Sequence, residues 1–314
     1  MKITQQPWFP WVTRILGAAF ILAVLALLVR YARGVDWGEV KASLLELPRD
    51  VLIKAFLLAA VSHLVYSLLD LVGRYYVGHR IGRRKVMQVS FTSYAFNLNL
   101  GSLVGGIGFR YRLYSRLGLG PGQITRIVTI SMITNWIGYI LLAGLVFTLD
   151  PLELPPHWKL DSEGLRLVGL GLLAVWITYM GLCAFSKKRS IKIRGHLLEL
   201  PSLRMAWAQM AISCTHWMTM AAVPWMLLQD KVDYPTALSV LLIAAMSGVI
   251  THIPAGLGVV EAVFIALLSH RIPEHQLLGA LLAYRALFYL VPLVAGALLY
   301  LKVEVRTRKH APAA

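Results

Sequence analysis

The sequence predicts an all-α polytopic membrane protein: about six spanning helices and two re-entrant hairpins, arranged as two inverted repeats. Hydrophobic residues make up 58% of the 314 residues, and charged residues make up 15%. Eight apolar segments recur along the chain, and most are long enough to cross a bilayer as a helix. The loops between these segments differ in the sign of their charge, which indicates a fixed orientation in the membrane.

The ordinary segments are expected to form six full-length helices, at residues 12–30, 51–73, 125–148, 166–185, 204–228 and 277–301. The first is interpreted as a retained helix, because no clear small-residue cleavage site for a signal peptide follows it. After it, Asp36 and Glu39 form a capping box that predicts a short amphipathic helix ending near Pro48 on the membrane surface. Cys183 and Cys214 lie in predicted helices and indicate packing rather than a disulfide.

The two remaining apolar segments, 86–108 and 237–269, differ from ordinary spanning helices. Polar side chains are frequent in the first, and a proline and two glycines interrupt the second. Each contains a Gly-x-Gly, at Gly106 and again 150 residues later at Gly256. Glycine allows a turn or a close backbone approach where a helix would otherwise continue. Paired breaks of this kind in the two halves of a membrane protein point to a substrate site.

Loop charges predict how these two segments cross the membrane. Residues 74–85 and 187–194 are basic and are expected in the cytoplasm, whereas 149–165 and 229–236 are mainly acidic and are expected outside. Segments 86–108 and 237–269 must then each return to the side from which they enter. The alternative of eight simple spans would place the basic residues of 110–126 outside and the acidic loop inside.

This topology divides the chain into a first transmembrane repeat, 1–150, and a second repeat, 151–314. Each would contain three spans and one hairpin, and an odd number of spans inverts the second repeat relative to the first. The net charge of +16 is explained mainly by the basic cytoplasmic loops, with attraction to anionic lipid headgroups as a compatible addition. Nucleic-acid binding is not expected, because no soluble domain is present to carry it.

The hairpin tips are the predicted substrate site. Helix N-termini there would offer free N–H groups to a phosphate, and arginine binds phosphate bidentately. The candidate substrate-binding residues are Gly105, Gly106, Gly108, Arg110, Arg112, Asn97, Asn135, Pro254, Gly256 and Gly258. Two structural alternatives stay open: close helix packing by the glycines, and a solvated face formed by the arginines. These residues therefore predict a phospholipid headgroup site or a packing motif.

Charged residues inside apolar runs are the candidates for gating or coupling. Glu261 and Arg285 lie at such depth that they are expected to pair or to line a cavity, with Tyr284 and Tyr289 beside them; a purely structural ion pair is the alternative. Asp70 and Arg74, four residues apart, are interpreted as a local surface pair. His63, His216 and His252 lack a metal-ligand spacing, which favours packing or a proton relay over a metal site.

Signatures of hydrolases, transferases and nucleotide-binding proteins are missing from the sequence. There is no Gly-x-Ser-x-Gly elbow, P-loop, His-Glu-x-x-His or cysteine cluster. Neither catalysis nor a cofactor is therefore expected.

Two segments, Gly105–Arg110 (GGIGFR) and Ile253–Ala262 (IPAGLGVVEA), resemble the transmembrane region of the lysylphosphatidylglycerol synthase/flippase family. The similarity extends over nearly the whole chain and is nearest to a Gram-negative inner-membrane branch. It implies movement of a phospholipid between leaflets. Because no aminoacyl-transferase domain is seen after residue 301, lysyl-lipid synthesis is not expected.

The hypothesis is therefore a bacterial inner-membrane flippase for an anionic phospholipid, with both termini in the cytoplasm. The alternative is a non-catalytic membrane partner that positions a lipid-synthesising enzyme. Membrane phospholipids are the expected partners in either case.

Overall fold

The computed structural model describes residues 36–154, 161–186, 190–193, 196–251, 253 and 256–308. The predicted first helix, 12–30, and the candidate residues Pro254 and His252 lie outside these ranges. Nearly all of the described chain is helical, as the sequence predicts, apart from one short antiparallel ribbon of two strands.

The elements follow in chain order, and two π-helical segments interrupt the α-helices. The α-helices are α1 (Trp37–Leu45), α2 (Arg49–Ser67), α3 (Leu69–Val77), α4 (Arg83–Leu100), α5 (Phe109–Arg116), α6 (Pro121–Leu149), α7 (Ser162–Phe185), α8 (Leu203–Leu227), α9 (Tyr234–Thr251), α10 (Val259–Leu268), α11 (Glu274–Tyr284) and α12 (Val291–Arg308). The first π-helical segment is Ser102–Gly108, and the second is Arg285–Leu290. The strands are β1 (Ser190–Ile193) and β2 (His196–Glu199).

Five helical stretches in the described part of the chain are long and apolar enough to cross a membrane. They are Arg49–Val77, Pro121–Leu149, Ser162–Phe185, Tyr234–Thr251 and Glu274–Lys302. The predicted helix 204–228 forms as α8, but it is not among the five, and it buries Gln209, Ser213 and His216 in the protein. Conversely, α9 belongs to a predicted hairpin and yet has the length and composition of a span.

Residues 83–116 form a helical hairpin, here called the first hairpin. Gly105 lies against the backbone of Phe96, and the Phe96 ring stacks on Phe109 at 4.0 Å between centroids. The chain therefore reverses near Gly101, which has a positive φ of 81°, and α5 runs back beside α4. This agrees with a returning segment at 86–108 and not with a simple span.

Residues 234–268 form the second hairpin, in which α9 packs on α10. Its two ends lie together, because Lys231 before α9 donates from Nζ to Oε1 of Gln276 in α11 at 2.7 Å. The second hairpin thus also returns to the end of the bundle from which it begins. Gly256 and Gly258 at its tip both have positive φ, 54° and 76°, a backbone conformation that favours glycine.

Contacts between neighbouring helices show that the hairpins begin at opposite ends of the bundle. Helices α3 and α6 are antiparallel, with Gly73 beside Ile127 and Asp70 beside Ser131. The loops 78–82 and 117–120 therefore share one end, the basic end, where the exposed cations include Arg80, Arg83, Arg84, Lys85, Arg112, Arg116 and Arg126. The loop after α6 and the segment 228–234 lie at the other, acidic end, with exposed Asp150, Glu153, Asp161, Asp230 and Asp233. The predicted separation of loop charges therefore holds for these described loops, whereas residues 187–189 and 194 of the predicted basic loop 187–194 lie outside the described ranges.

Close packing around α6 joins the two parts of the chain. Helix α8 runs parallel to α6, with Gln209 donating to Thr134 at 2.8 Å and Ser213 donating to the carbonyl of Asn135 at 2.7 Å. The approach is so close that a Cβ on Gly138 would overlap Ser213.

At the acidic end, α1 begins as predicted, because Asp36 accepts from the N–H groups of Gly38 and Glu39.

Candidate functional site

A buried ion pair holds the first hairpin against α3. Nε of Arg110 is 3.1 Å from both carboxylate oxygens of Asp70, and Nη2 donates to Oδ1 at 3.0 Å. The Arg110 side chain is 5% exposed and the Asp70 side chain is 0% exposed. The same guanidinium donates from Nη1 to the carbonyl of Gly106 at 3.2 Å. Arg110 therefore joins a scaffold carboxylate to the hairpin tip.

Two hydroxyl groups complete the surroundings of the Asp70 carboxylate. Tyr114 donates to Oδ2 at 2.9 Å, and Ser131 donates to Oδ1 at 2.8 Å. The interpretation of Asp70 and Arg74 as a surface pair is wrong, since Asp70 is buried and Arg74 donates to the carbonyl of Ile81 at 2.7 Å. A buried carboxylate requires such a set of donors, because an unpaired charge is costly away from water.

The glycines of the first hairpin allow its two arms to approach. A Cβ on Gly105 would overlap the backbone of Phe96, whereas one on Gly108 would make ordinary contact with the carbonyl of Leu103 at 3.4 Å. Gly106 faces Oδ1 of Asn97. Gly105 is therefore needed for packing, and the candidate residues Asn97 and Gly106 lie side by side near Arg110.

A second ion pair lies at the second hairpin. Nε of Arg285 donates to Oε1 of Glu261 at 2.6 Å, and Nη2 donates to Oε2 at 3.0 Å. Nη2 also donates to the carbonyl of Gly256 at 2.8 Å. The guanidinium lies 4.8 Å from the centre of the Tyr289 ring. The predicted pairing of Glu261 and Arg285 is confirmed, and it fastens the tip of the second hairpin.

The remaining candidate residues lie beside these pairs or at the surface. Arg112 is exposed and stands 5.5 Å from the centre of the Tyr300 ring. The backbone carbonyl of Asn135 accepts from Ser213 and Trp217, and its side-chain Oδ1 has no hydrogen-bond partner among the described residues. Tyr284 is buried and its ring lies 5.6 Å from that of Tyr289. Gly258 precedes α10 and makes no side-chain cap.

A cluster of buried polar and aromatic side chains lies between the two pairs. His216 Nδ1 is 3.1 Å from Ser62 Oγ, and its Nε2 is 3.2 Å from the hydroxyl of Tyr94. Tyr94 stacks on Tyr66 at 3.5 Å, and the Arg110 guanidinium stands 5.9 Å from the Tyr66 ring. The first ion pair therefore continues into a hydrogen-bonded centre formed by α2, α4 and α8.

The same cluster reaches the second ion pair through aromatic rings. His63 lies 5.1 Å from Tyr94 and 4.6 Å from Phe288. Phe288 in turn is 6.0 Å from Tyr289, whose ring faces Arg285. His63 donates from Nδ1 to the carbonyl of Ala59 at 2.9 Å. An unbroken set of buried rings thus connects the two arginines.

One histidine outside the membrane-spanning helices also adjoins the first site. His79 is buried in the loop before α4, and this burial, together with the nearby Arg74 guanidinium, lowers the pKa of His79 below its ordinary value. The neutral ring accepts a hydrogen bond at Nδ1 from the N–H of Ile81 at 3.3 Å. Among the described residues no three His, Cys, Asp or Glu side chains are grouped to hold a metal ion.

The sequence did not indicate the role of Asp70, of Tyr114 beside it, or of the stacked Tyr66 and Tyr94 rings near Arg110. One signal was available: Asp70 is the only acidic residue between positions 51 and 149, a range that contains ten Lys and Arg residues. A lone carboxylate in such a range is a candidate partner for a buried arginine. No comparable signal marks the three tyrosines.

The chain matches the family model described as the lysylphosphatidylglycerol synthase TM region over residues 14–296. It is 50% identical to inner membrane protein YbhN of Escherichia coli over 306 residues, which cover 97% of this chain and 96% of that protein. An uncharacterised protein of Synechocystis is 28% identical over 265 residues, covering 83% and 82% of the two chains.

A phosphatidylglycerol lysyltransferase of Staphylococcus haemolyticus is 24% identical over 293 residues. The match covers 91% of this chain but 33% of that enzyme, so the likeness concerns one region of a much longer protein. The family model, by contrast, covers most of the chain. The protein belongs to the family of the lysylphosphatidylglycerol synthase transmembrane region.

Proposed function

We propose that the protein moves an anionic phospholipid between the leaflets of the bacterial inner membrane, along a path between the two hairpins. One observation carries the proposal: each hairpin tip is fastened by an arginine that binds both a carboxylate and a glycine carbonyl of the tip. The two hairpins begin at opposite ends of the bundle, so each pair controls access from one side.

The chemistry of exchange follows from arginine geometry. A guanidinium binds a carboxylate and a phosphate with the same bidentate arrangement. A headgroup phosphate can therefore replace Asp70 at Arg110, or Glu261 at Arg285. Because each arginine also bonds to a tip carbonyl, replacement of the carboxylate loosens or shifts the hairpin. Binding and opening would then be one event.

The second hairpin offers a further group for an anion. Helix α10 begins at Val259 after Gly258, and no side chain caps its first turn. Free N–H groups and the positive end of the helix dipole lie there, beside Glu261. These features support an anionic substrate, with Gly256 and Gly258 as backbone elements of the site. In this proposal, the free N–H groups of α10 bind the anion together with the Arg285 guanidinium.

The relatives support the same proposal by their names. One is an inner membrane protein, and others are phosphatidylglycerol lysyltransferases that share this region only. A phospholipid substrate and an inner-membrane location agree with both. We propose a non-enzymatic role for this chain, because the two hydroxyl groups beside a carboxylate, Ser131 and Tyr114 on Asp70, are buried, and that carboxylate is already paired with Arg110.

A transport assay in proteoliposomes tests the proposal. Fluorescent phosphatidylglycerol that starts in the inner leaflet becomes accessible to a membrane-impermeant quencher once it reaches the outer leaflet. The rate of quenching is compared between wild type, Arg110→Ala and Glu261→Ala. Both variants are expected to lose most of the protein-dependent rate. Arg126→Gln, an exposed arginine at the same basic end, serves as the control and is expected to keep it.

Wild-type rates in both site variants would remove the proposed site. A different result, no transport by the wild type together with a stable complex with a lipid-synthesising enzyme, would favour the positioning role instead. Folding of each variant is checked by size-exclusion chromatography and by its unfolding temperature in detergent.

A further inference from the structure

An apolar groove lies on the outer side of the bundle between α6, α7 and α9. Its volume is about 190 Å³, and its walls are Tyr139, Phe147, Val168, Leu172, Ile243, Met246 and Ser247. Tyr139 and Phe147 are eight residues apart on α6, so the groove extends about 12 Å along that helix at 1.5 Å per residue. It is separate from both ion pairs.

The two polar side chains in the groove wall already form hydrogen bonds within the protein. The Tyr139 hydroxyl donates to the carbonyl of Leu242 at 3.0 Å, and Ser247 Oγ donates to the carbonyl of Ile243 at 2.8 Å. The other five wall residues are apolar. A buried water requires two to four polar partners. The walls therefore favour a hydrocarbon over water.

The helices around the groove indicate which hydrocarbon lies next to it. Helices α6, α7 and α9 are three of the five stretches long and apolar enough to cross the membrane. Helix α7 exposes large apolar side chains, among them Leu167, Leu170 and the groove residue Val168. The groove is thus continuous with the lipid-facing surface, where acyl chains are the neighbours.

We infer that this groove is a binding site for one acyl chain of a phospholipid. The inference rests on the proposed function in one respect: the lipid held here would be the one whose headgroup exchanges at the hairpins. Helix α9 connects the two sites, since Ser247 lines the groove and α9 ends at Thr251, about 6 Å further along the axis. Gly256, bonded to Arg285, follows shortly after.

Photo-crosslinking locates the acyl chain. The protein in nanodiscs receives phosphatidylglycerol with a diazirine on one acyl chain, and mass spectrometry maps the labelled peptides after illumination. Label is expected to concentrate on 139–147, 168–172 and 243–247. Ser247→Trp fills the groove and is expected to reduce this label by about tenfold, because the chain loses its contacts there. Val249→Trp, on an exposed position of the same helix outside the groove, is the matched control.

A second variant keeps the test valid if Ser247→Trp does not fold. Val168→Trp blocks the groove from α7 at a position that is already 45% exposed. The inference is overturned if label spreads evenly over all lipid-facing helices, if neither tryptophan reduces it, or if a second copy of the chain proves to occupy the groove in protein–protein crosslinks.

The flipping assay is run on the same variants, and it separates this inference from the proposed function. Labelling that is confined to the groove and blocked by tryptophan supports the acyl-chain site even in a protein that flips no lipid. If lipid is flipped at the wild-type rate and no label appears in the groove, the proposed function stands. The acyl-chain site in the groove is then removed.

Discussion

The two hairpins are fastened in the same way but with the charges exchanged. At the first hairpin the arginine, Arg110, belongs to the hairpin and the carboxylate, Asp70, belongs to the neighbouring helix α3. At the second hairpin the carboxylate, Glu261, belongs to the hairpin, and the arginine, Arg285, begins the second π-helical segment. In both pairs the guanidinium also donates to a glycine carbonyl at the tip.

The pairs also differ in access to solvent or ligand. The Asp70 and Arg110 side chains are 0% and 5% exposed, and two hydroxyl groups add to the pair. The Glu261 and Arg285 side chains are 17% and 12% exposed. A ligand can approach Arg285 more readily than Arg110. We therefore expect the first pair to contribute more to stability and the second to exchange more easily.

The largest effect is expected from Asp70→Ala. It leaves the Arg110 guanidinium buried without a counter-charge, and the loss of one partner of a buried pair costs about 3–5 kcal/mol. Unfolding in detergent micelles measures the change. The double variant Asp70→Ala with Arg110→Ala is expected to be less destabilised than the sum of the single variants. Additive costs would contradict a direct pairing.

A second test compares the hairpin tips through their glycines. Gly105→Ala is expected to destabilise the protein by about 1–3 kcal/mol or more, because the new Cβ overlaps the Phe96 backbone. Gly108→Ala, where the Cβ makes ordinary contact at 3.4 Å, is the matched control and should change little. Equal unfolding temperatures for the two variants would show that the arms pack less closely.

At the second hairpin, Gly256→Ala is expected to cost about 1–2 kcal/mol for a different reason. The site has space for a Cβ, with the nearest atom of Val260 at 3.7 Å, but its φ of +54° disfavours alanine. Gly256→Asn, which tolerates this conformation better, should recover part of the loss. The unfolding free energies of the two variants give the comparison, and no recovery with asparagine would argue against backbone strain as the cause.

Glu261→Gln is expected to affect stability less than Asp70→Ala, by about 1–3 kcal/mol, because the pair is partly exposed and the amide keeps one hydrogen bond. It should also raise the affinity of the protein for phosphatidylglycerol, since Arg285 then loses its competing carboxylate. Native mass spectrometry of bound lipid measures this. Weaker binding in Glu261→Gln would mean that the carboxylate itself contacts the lipid.

The smallest effect is expected from Arg112→Gln. Arg112 is two residues from Arg110, but it is exposed and contacts the Tyr300 ring, which is worth about 0.5–1 kcal/mol at an exposed site. Its flipping rate should stay near that of wild type. If Arg112→Gln loses as much of the flipping rate as Arg110→Ala, Arg112 belongs to the substrate-binding site, as the sequence predicts.

Parts of this arrangement were predictable because local properties specify them. The apolar segments, the signs of the loop charges and the Gly-x-Gly breaks together predict two hairpins that begin at opposite ends. The pairing of Glu261 with Arg285 was also expected, since opposite charges in apolar segments stabilise each other. The division into two inverted repeats stays a prediction.

The first pair was not predictable in the same way. Asp70 has Arg74 four residues away, which is the usual helical partner, and Arg110 is 40 positions distant. Only the return of α5 beside α4, and the packing of both against α3, brings Arg110 to Asp70 and turns Arg74 toward Ile81. The central group of Ser62, Tyr94 and His216 likewise joins three helices that are far apart in the chain.

The sequence by itself determined that this is a membrane protein with Gly-x-Gly breaks 150 residues apart and with charged residues inside apolar segments. Composition and periodicity decide these properties, because water and lipid act on each segment separately. The tertiary structure decided which carboxylate meets which arginine, and how deeply each pair is buried. Those properties depend on long-range packing of helices, where close contacts such as Gly105 on Phe96 select one arrangement.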